Sequence, residues 1–354
     1  MEKKTGQVKG STHWYLWSAL VAIELLMSFS AFGYVHIPPL SVTIAYVPVL
    51  VAGALMGPLE AMTVGAVFGA ASMRKATATY VLPFDQLFSP FFSGYPVQSV
   101  LLSVGSRMLF GLAMGLLYTL VRRWRFSGVW VGLLTFFGST VHSFFVYSSL
   151  WLFFPQTGYT PAHALGALSS PSRLAANVVT TAVVLLLWRF EASKTWRKFQ
   201  AQVEEVGRMH SAERYHRVSL LVAVVVTLAS SVSVALYFVH RMESVLEFQG
   251  VELPPLGYSD LVHLQIQFLI GILSLMWIVA VFVIFNRRYA TYMAQEAKRD
   301  FLTGLLSRKA FMTACAAALE EFPKGGRPAV FSWWIWTTLR RLTTALAIRK
   351  GTAF

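Results

Sequence analysis

Charge is scarce in this sequence: Asp, Glu, Lys and Arg make up 13% of its 354 residues, where a soluble domain carries about a quarter. The deficit is filled by apolar residues, 56% of the chain, gathered in long runs. Together these exclude an ordinary soluble domain and place the chain in the polytopic membrane class. Acids are scarcer still, 16 against 30 Lys and Arg, leaving a net charge of +14. The basic residues lie beside apolar runs, as in the cytoplasmic loops of membrane proteins, so the charge does not mark a nucleic-acid partner. Cysteine occurs once, at Cys315. A single cysteine excludes an internal disulfide and a thiolate metal cluster. Its apolar helical surroundings make it a small core residue rather than a nucleophile. No small-residue cleavage site follows the first apolar run, so that run reads as a retained anchor. No G-x-x-x-x-G-K-[ST] string is present, which excludes a phosphate-binding loop of that type.

What is present divides into segments. Residues 1–13 are polar and basic, a cytoplasmic N-terminus. Six apolar spans follow at 14–34, 40–56, 59–73, 97–121, 128–154 and 172–190. Pro48 falls inside the second span and Gly57-Pro58 turns the chain into the third. Gly65 and Gly69 in the third have small-xxx-small spacing, suited to close helix contact. Residues 191–217 are charged, mixed in sign and free of proline, which predicts a cytoplasmic helical linker. A two-span unit occupies 218–285, its spans at 218–239 and 263–285 separated by an acidic outer loop at 240–262. Residues 286–299 predict a short stalk. Basic flanks place both termini in the cytoplasm, with Arg74 and Lys75 the one dissent.

Polar residues inside spans are costly and usually have a reason. Glu60, Arg107, His142 and Asn177 are such residues, with Asp85 in the loop after the third span. Glu24, in the middle of the first span, joins them as a residue to watch, and Arg173 stands near the start of the sixth. Each also has a structural alternative in helix–helix hydrogen bonding or, for Arg107, snorkelling toward the interface.

Residues 14–190 resemble the substrate-binding S component of energy-coupling-factor vitamin transporters. The six-span pattern carries the resemblance, with residues 37–72 and the segment 106–118. It implies a pocket for a small nutrient facing outward, and Glu60, Asp85, Arg107, His142 and Asn177 are the candidates to line it.

A second resemblance begins at Asp300. Asp300, Leu302 and Thr303 match the D-x-L-T string that opens a GGDEF domain, the diguanylate cyclase module, followed by Gly304, Leu305, Arg308 and Phe311. Lys309 to Glu321 fits that family's first helix and Ala329-Val330-Phe331 the start of its first core strand. The resemblance implies synthesis of cyclic di-GMP from two GTP molecules across a homodimer, with magnesium neutralising phosphate charge. That chemistry needs carboxylates, and no Asp or Glu follows Glu321. Residues 332–354 instead carry Trp333, Trp334 and Trp336, then Arg340, Arg341, Arg349 and Lys350.

A shifted reading frame accounts for this tail. Tryptophan has one codon, so reading from the third base of the Ser332 codon forces Val-Asp-(Leu or Met)-Asp across Trp333 to Thr337. That is the family's metal-site strand, and permitted codons continue it as D-x-D-x-F-K-x-x-N-D. A lesion in the gene and an error in its sequence both remain open as the cause. The alternative for the tail is a basic, Trp-rich helix lying on anionic lipid.

The expectation is therefore an all-α polytopic membrane protein of about eight transmembrane helices with a C-terminal fragment (300–331) of an α/β GGDEF domain. Its main functional reading is a membrane sensor of the diguanylate cyclase family. This copy is expected to be inactive, with no catalytic residue, no metal ligand and no cofactor of its own, although magnesium and GTP would serve an intact member. Its expected partners are the lipid bilayer, a small nutrient-like ligand on the outer face and a second copy joined through the stalk, but no nucleic acid. The alternative is the S component of a vitamin or nutrient uptake transporter.

Overall fold

The structure is a computed structural model that describes residues 11–30, 33–35, 42–78, 81, 84–168, 171–207, 213–250, 254–300, 303 and 305–320. The chain forms two units, residues 1–292 and 293–354.

The first unit is a helical bundle. Helix α1 (Ser11–Ser28) is followed by two short antiparallel strands, β1 (Tyr34–Val35) and β2 (Val42–Thr43), with Tyr34 opposite Thr43. This pairing shortens the second expected span. Helix α2 (Val47–Leu55) starts only after β2, so Pro48 lies in its first turn rather than inside it, where the missing N–H breaks no hydrogen bond. At 1.5 Å per residue α2 is about 14 Å long, half the hydrocarbon thickness. It is tolerated because Pro48 to Ala54 are all buried within the protein.

Gly57, at φ +136°, turns the chain into α3 (Pro58–Lys75). The fourth span is continuous from Pro96 to Val121. It comprises α4 (Pro96–Val100), one π-type turn (Leu101–Gly105) and α5 (Ser106–Val121). Helices α3 and α5 approach until their backbones touch. A methyl group on Gly65 would lie 2.3 Å from the Arg107 carbonyl oxygen, and one on Gly111 2.2 Å from that of Ala61. The small-residue spacing in the third span thus marks a real contact. Val49, Leu50, Val64, Phe68, Phe110, Met114, Tyr118 and Val184 form the core around it.

The fifth expected span is two helices, α6 (Ser127–Phe136) and α7 (Gly138–Phe153), bent by 46°. Helix α8 (Pro171–Glu191) follows, then α9 (Lys194–Gly207), where the sequence predicts a helical linker. Helix α10 (Glu213–Phe248) and α11 (Pro255–Glu296) run well past the expected spans, so Glu243 and Glu247 lie on a helix rather than in a loop. The reason is composition: neither glycine nor proline interrupts residues 240–248.

Among the described residues, four helical stretches are long and apolar enough to cross a membrane: Pro96–Val121, Pro171–Glu191, Val224–Leu246 and Pro255–Glu296; the bent α6–α7 pair makes a fifth. Exposed Val225, Val226, Leu236, Phe238 and Phe282 on the last two suit contact with lipid. Helix α2 is too short on its own, and α3 carries Glu60, Arg74 and Lys75.

In the second unit, hydrogen bonds draw Asp300, Thr303 and Leu305 together. The Asp300 amide donates to the Leu305 carbonyl at 2.7 Å, and Asp300 Oδ1 accepts from the Thr303 amide and hydroxyl at 2.9 and 2.8 Å. Helix α12 (Arg308–Glu320) follows. Among the described residues of this unit there is no strand ladder, only the single bridge Arg299–Leu306, so the α/β part of the expected fold is not shown. Leu302, Gly304 and the tail at 332–354 lie outside the described residues.

Candidate ligand site

The first unit encloses a polar interior. Its base is the π-type turn, whose altered hydrogen-bond spacing leaves carbonyls available to side chains. Arg107 uses them. Its Nη1 donates to the carbonyls of Ser103 (2.9 Å) and Leu102 (3.3 Å), and Nη2 to Ser72 Oγ on α3 at 3.2 Å. The guanidinium also lies over the rings of Phe68 and Phe88, 5.1 and 5.2 Å from their centroids. Arg107 is therefore held inward rather than snorkelling.

Glu24 of α1 is fully buried, accepts from Ser28 Oγ at 2.9 Å and has Arg107 as its electrostatic partner. His142 of α7 sits among three rings: Tyr46, stacked at 6.0 Å, Phe68 at 5.4 Å and Phe110 at 5.3 Å. Tyr46 links it to α8, donating its hydroxyl to Asn177 Oδ1 at 3.2 Å. Among the described residues, Glu24 Oε2, His142 Nε2 and Asn177 Nδ2 are buried without a hydrogen-bond partner. Each such atom costs about 1–3 kcal/mol, and their gathering in one interior calls for a group that satisfies them.

Of the sequence candidates, Arg107, His142 and Asn177 come together here. Glu60 does not: it lies in the first turn of α3, where it pairs with His13 Nε2 at 3.1 Å. Ser72, beside Arg107, is about 18 Å further along the same helix at 1.5 Å per residue. Asp85 is exposed in a 3₁₀ turn and acts electrostatically on Lys75. Sequence alone does not point to Tyr46, whose part depends on packing across the bundle. Arg173 is absent from the sequence candidates for the pocket, although Arg173 and Asn177 are spaced i, i+4 on a helix, a legible sign of a shared face. No group of three or more His, Cys, Asp or Glu gathers among the described residues.

The match to known families falls on this same unit: residues 16–190 match the family described as ECF transporter, substrate-specific component. No curated protein matches the chain. The match corrects the main functional expectation. No GGDEF domain is detected at Asp300, Thr303, Leu305 and Arg308, and the family found is that of the alternative, the uptake component. The short D-x-L-T string is accounted for locally, since an Asp and a Thr at that spacing close a turn before a helix. The membrane unit that holds the polar interior, residues 16–190 and a little under half the chain, is similar to the substrate-specific components of ECF transporters.

Proposed function

We propose that this chain is the substrate-binding component of a nutrient uptake transporter in a bacterial cytoplasmic membrane. The observation that carries the reading is coincidence of place. The residues matching the transporter family, 16–190, are those that enclose the unpartnered Glu24, His142 and Asn177 atoms. A small polar molecule entering between the connection before α4 and that before α8 would satisfy them. In this reading the chain crosses the membrane eight times with both termini in the cytoplasm. Residues 14–190 bind the ligand, 191–217 link and 218–285 add a helix pair. Energy comes from partners, a second membrane subunit and its ATPases, because the chain has no P-loop of its own.

The test is purification of the full chain from a host expressing those transporter subunits, with equilibrium dialysis against a panel of labelled vitamins. The reading expects copurification with the subunits and saturable binding of one panel member. It fails if the chain neither copurifies nor binds any of them.

A further inference from the structure

The inner face of α8 is set by spacing. Asn177, Thr180 and Val184 are its buried residues, separated by three and four positions, and Arg173 continues the stripe one turn earlier. Arg173 has Tyr46, His142 and Tyr147 as electrostatic neighbours, so its charge bears on the interior. Its side chain is half-buried, and among the described residues it makes no hydrogen bond or ion pair. It also stands at the unfavourable end of its helix. The first turn of α8 carries no acidic residue, and a helix N-terminus already holds about half a positive charge. Glu24 does not compensate, because its electrostatic partner is Arg107. Directly below, Asn177 is 1% exposed and offers an Nδ2 donor with nothing to receive it.

From this excess of donors and positive charge we infer that the ligand presents a carboxylate to Arg173 and Asn177, an inference that rests on the uptake reading for its biological ligand. One carboxylate oxygen accepts from the guanidinium and the other from Asn177 Nδ2. A planar guanidinium suits that geometry better than a point charge would. A cationic nutrient would be repelled by Arg173 and the helix terminus alike, and a neutral one would leave the charge uncompensated. Tyr147, an electrostatic neighbour of Arg173, stacks on Tyr159 with ring centroids 5.3 Å apart and brings aromatic surface toward the carboxylate's surroundings.

Benzoate, a carboxylate on a single aromatic ring, is the first probe. The full chain, in a non-ionic detergent, is melted against rising sodium benzoate with sodium chloride at matched ionic strength. The inference expects a saturable rise in melting temperature with benzoate, which Arg173→Gln abolishes and the exposed-site control Arg125→Gln retains. Asn177→Asp supplies the missing negative charge within the helix. It is expected to raise the melting temperature in chloride and to remove the benzoate response. The vitamin panel adds matched pairs, nicotinate with nicotinamide and pantothenate with pantothenol. The acid of one pair binds, its neutral twin binds roughly tenfold or more weakly, and Arg173→Gln removes the difference.

An equal benzoate response in Arg173→Gln, or a destabilised Asn177→Asp, overturns the inference. So does stabilisation by added phosphatidylglycerol in place of benzoate, which would assign Arg173 to lipid headgroups. Nutrient uptake that survives Arg173→Gln unchanged sinks this inference and leaves the uptake reading standing. A benzoate response confined to Arg173 in a chain that transports nothing does the reverse.

Discussion

At the scale of residues, the proposed uptake reading separates side chains that hold the fold from those that would meet a nutrient. His142 packs against Tyr46, Phe68 and Phe110 while its Nε2 has no partner. His142→Phe keeps an aromatic ring, one atom larger, and deletes an unsatisfied nitrogen. Such exchanges cost less than about 1.5 kcal/mol or nothing. The melting temperature of His142→Phe should equal or exceed that of the parent chain while nutrient binding weakens. A large fall in melting temperature would mean that the nitrogen serves the fold. Glu60 supplies the contrast, since it pairs with His13 of α1 at the other end of α3 from Ser72. Glu60→Ala should lower stability by about 1–2 kcal/mol, given that Glu60 is buried and its loss leaves His13 without this partner. Dialysis should find its nutrient affinity unchanged.

At the scale of elements, the α3–α5 contact positions the site. It sets Ser72 against Arg107 and brings Phe68 and Phe110 to His142. The contact depends on absent side chains, so Gly111→Val should force the helices apart, at about 1–3 kcal/mol or more. Gel filtration in detergent should show a loss of monodisperse protein; an unchanged profile would show that the helices can separate without harm. This contact is legible in the sequence, because Gly65 and Gly69 carry a spacing that has one strong physical reading. The π-type turn is not: nothing in Leu101 to Gly105 marks it, and its consequence emerges only through the carbonyls that Arg107 finds. The start of α2 differs from expectation because hydropathy does not distinguish Val42 and Thr43 in a strand from the same residues in a helix. Tyr46 is invisible in the sequence for a related reason: it precedes α2 and gains its part from α7 and α8.

At the scale of the whole molecule, the hydrophobic runs reveal a membrane protein and the polar residues inside them reveal most of its interior. The functional expectation fails on weight. A string of a few residues from Asp300 suggests a family, although an Asp–Thr turn before a helix accounts for it, while the long unit at 16–190 carries the match that holds. Topology is testable because Cys315 is the one cysteine. In a Cys315→Ser background, a cysteine at Arg125 should react with an impermeant maleimide only from the cytoplasmic side. One at Thr160 should react only from the outer side. Labelling of both from the same side would overturn the eight-span arrangement.

The central claim is uptake, and the most direct measurement is accumulation of labelled vitamins by cells that express this chain with an ECF membrane subunit and its ATPases. The account predicts ATP-dependent accumulation of one acidic nutrient, lost when this chain is omitted and when Arg173 is replaced by Gln. Accumulation of none, from a chain that purifies without those subunits, would contradict it.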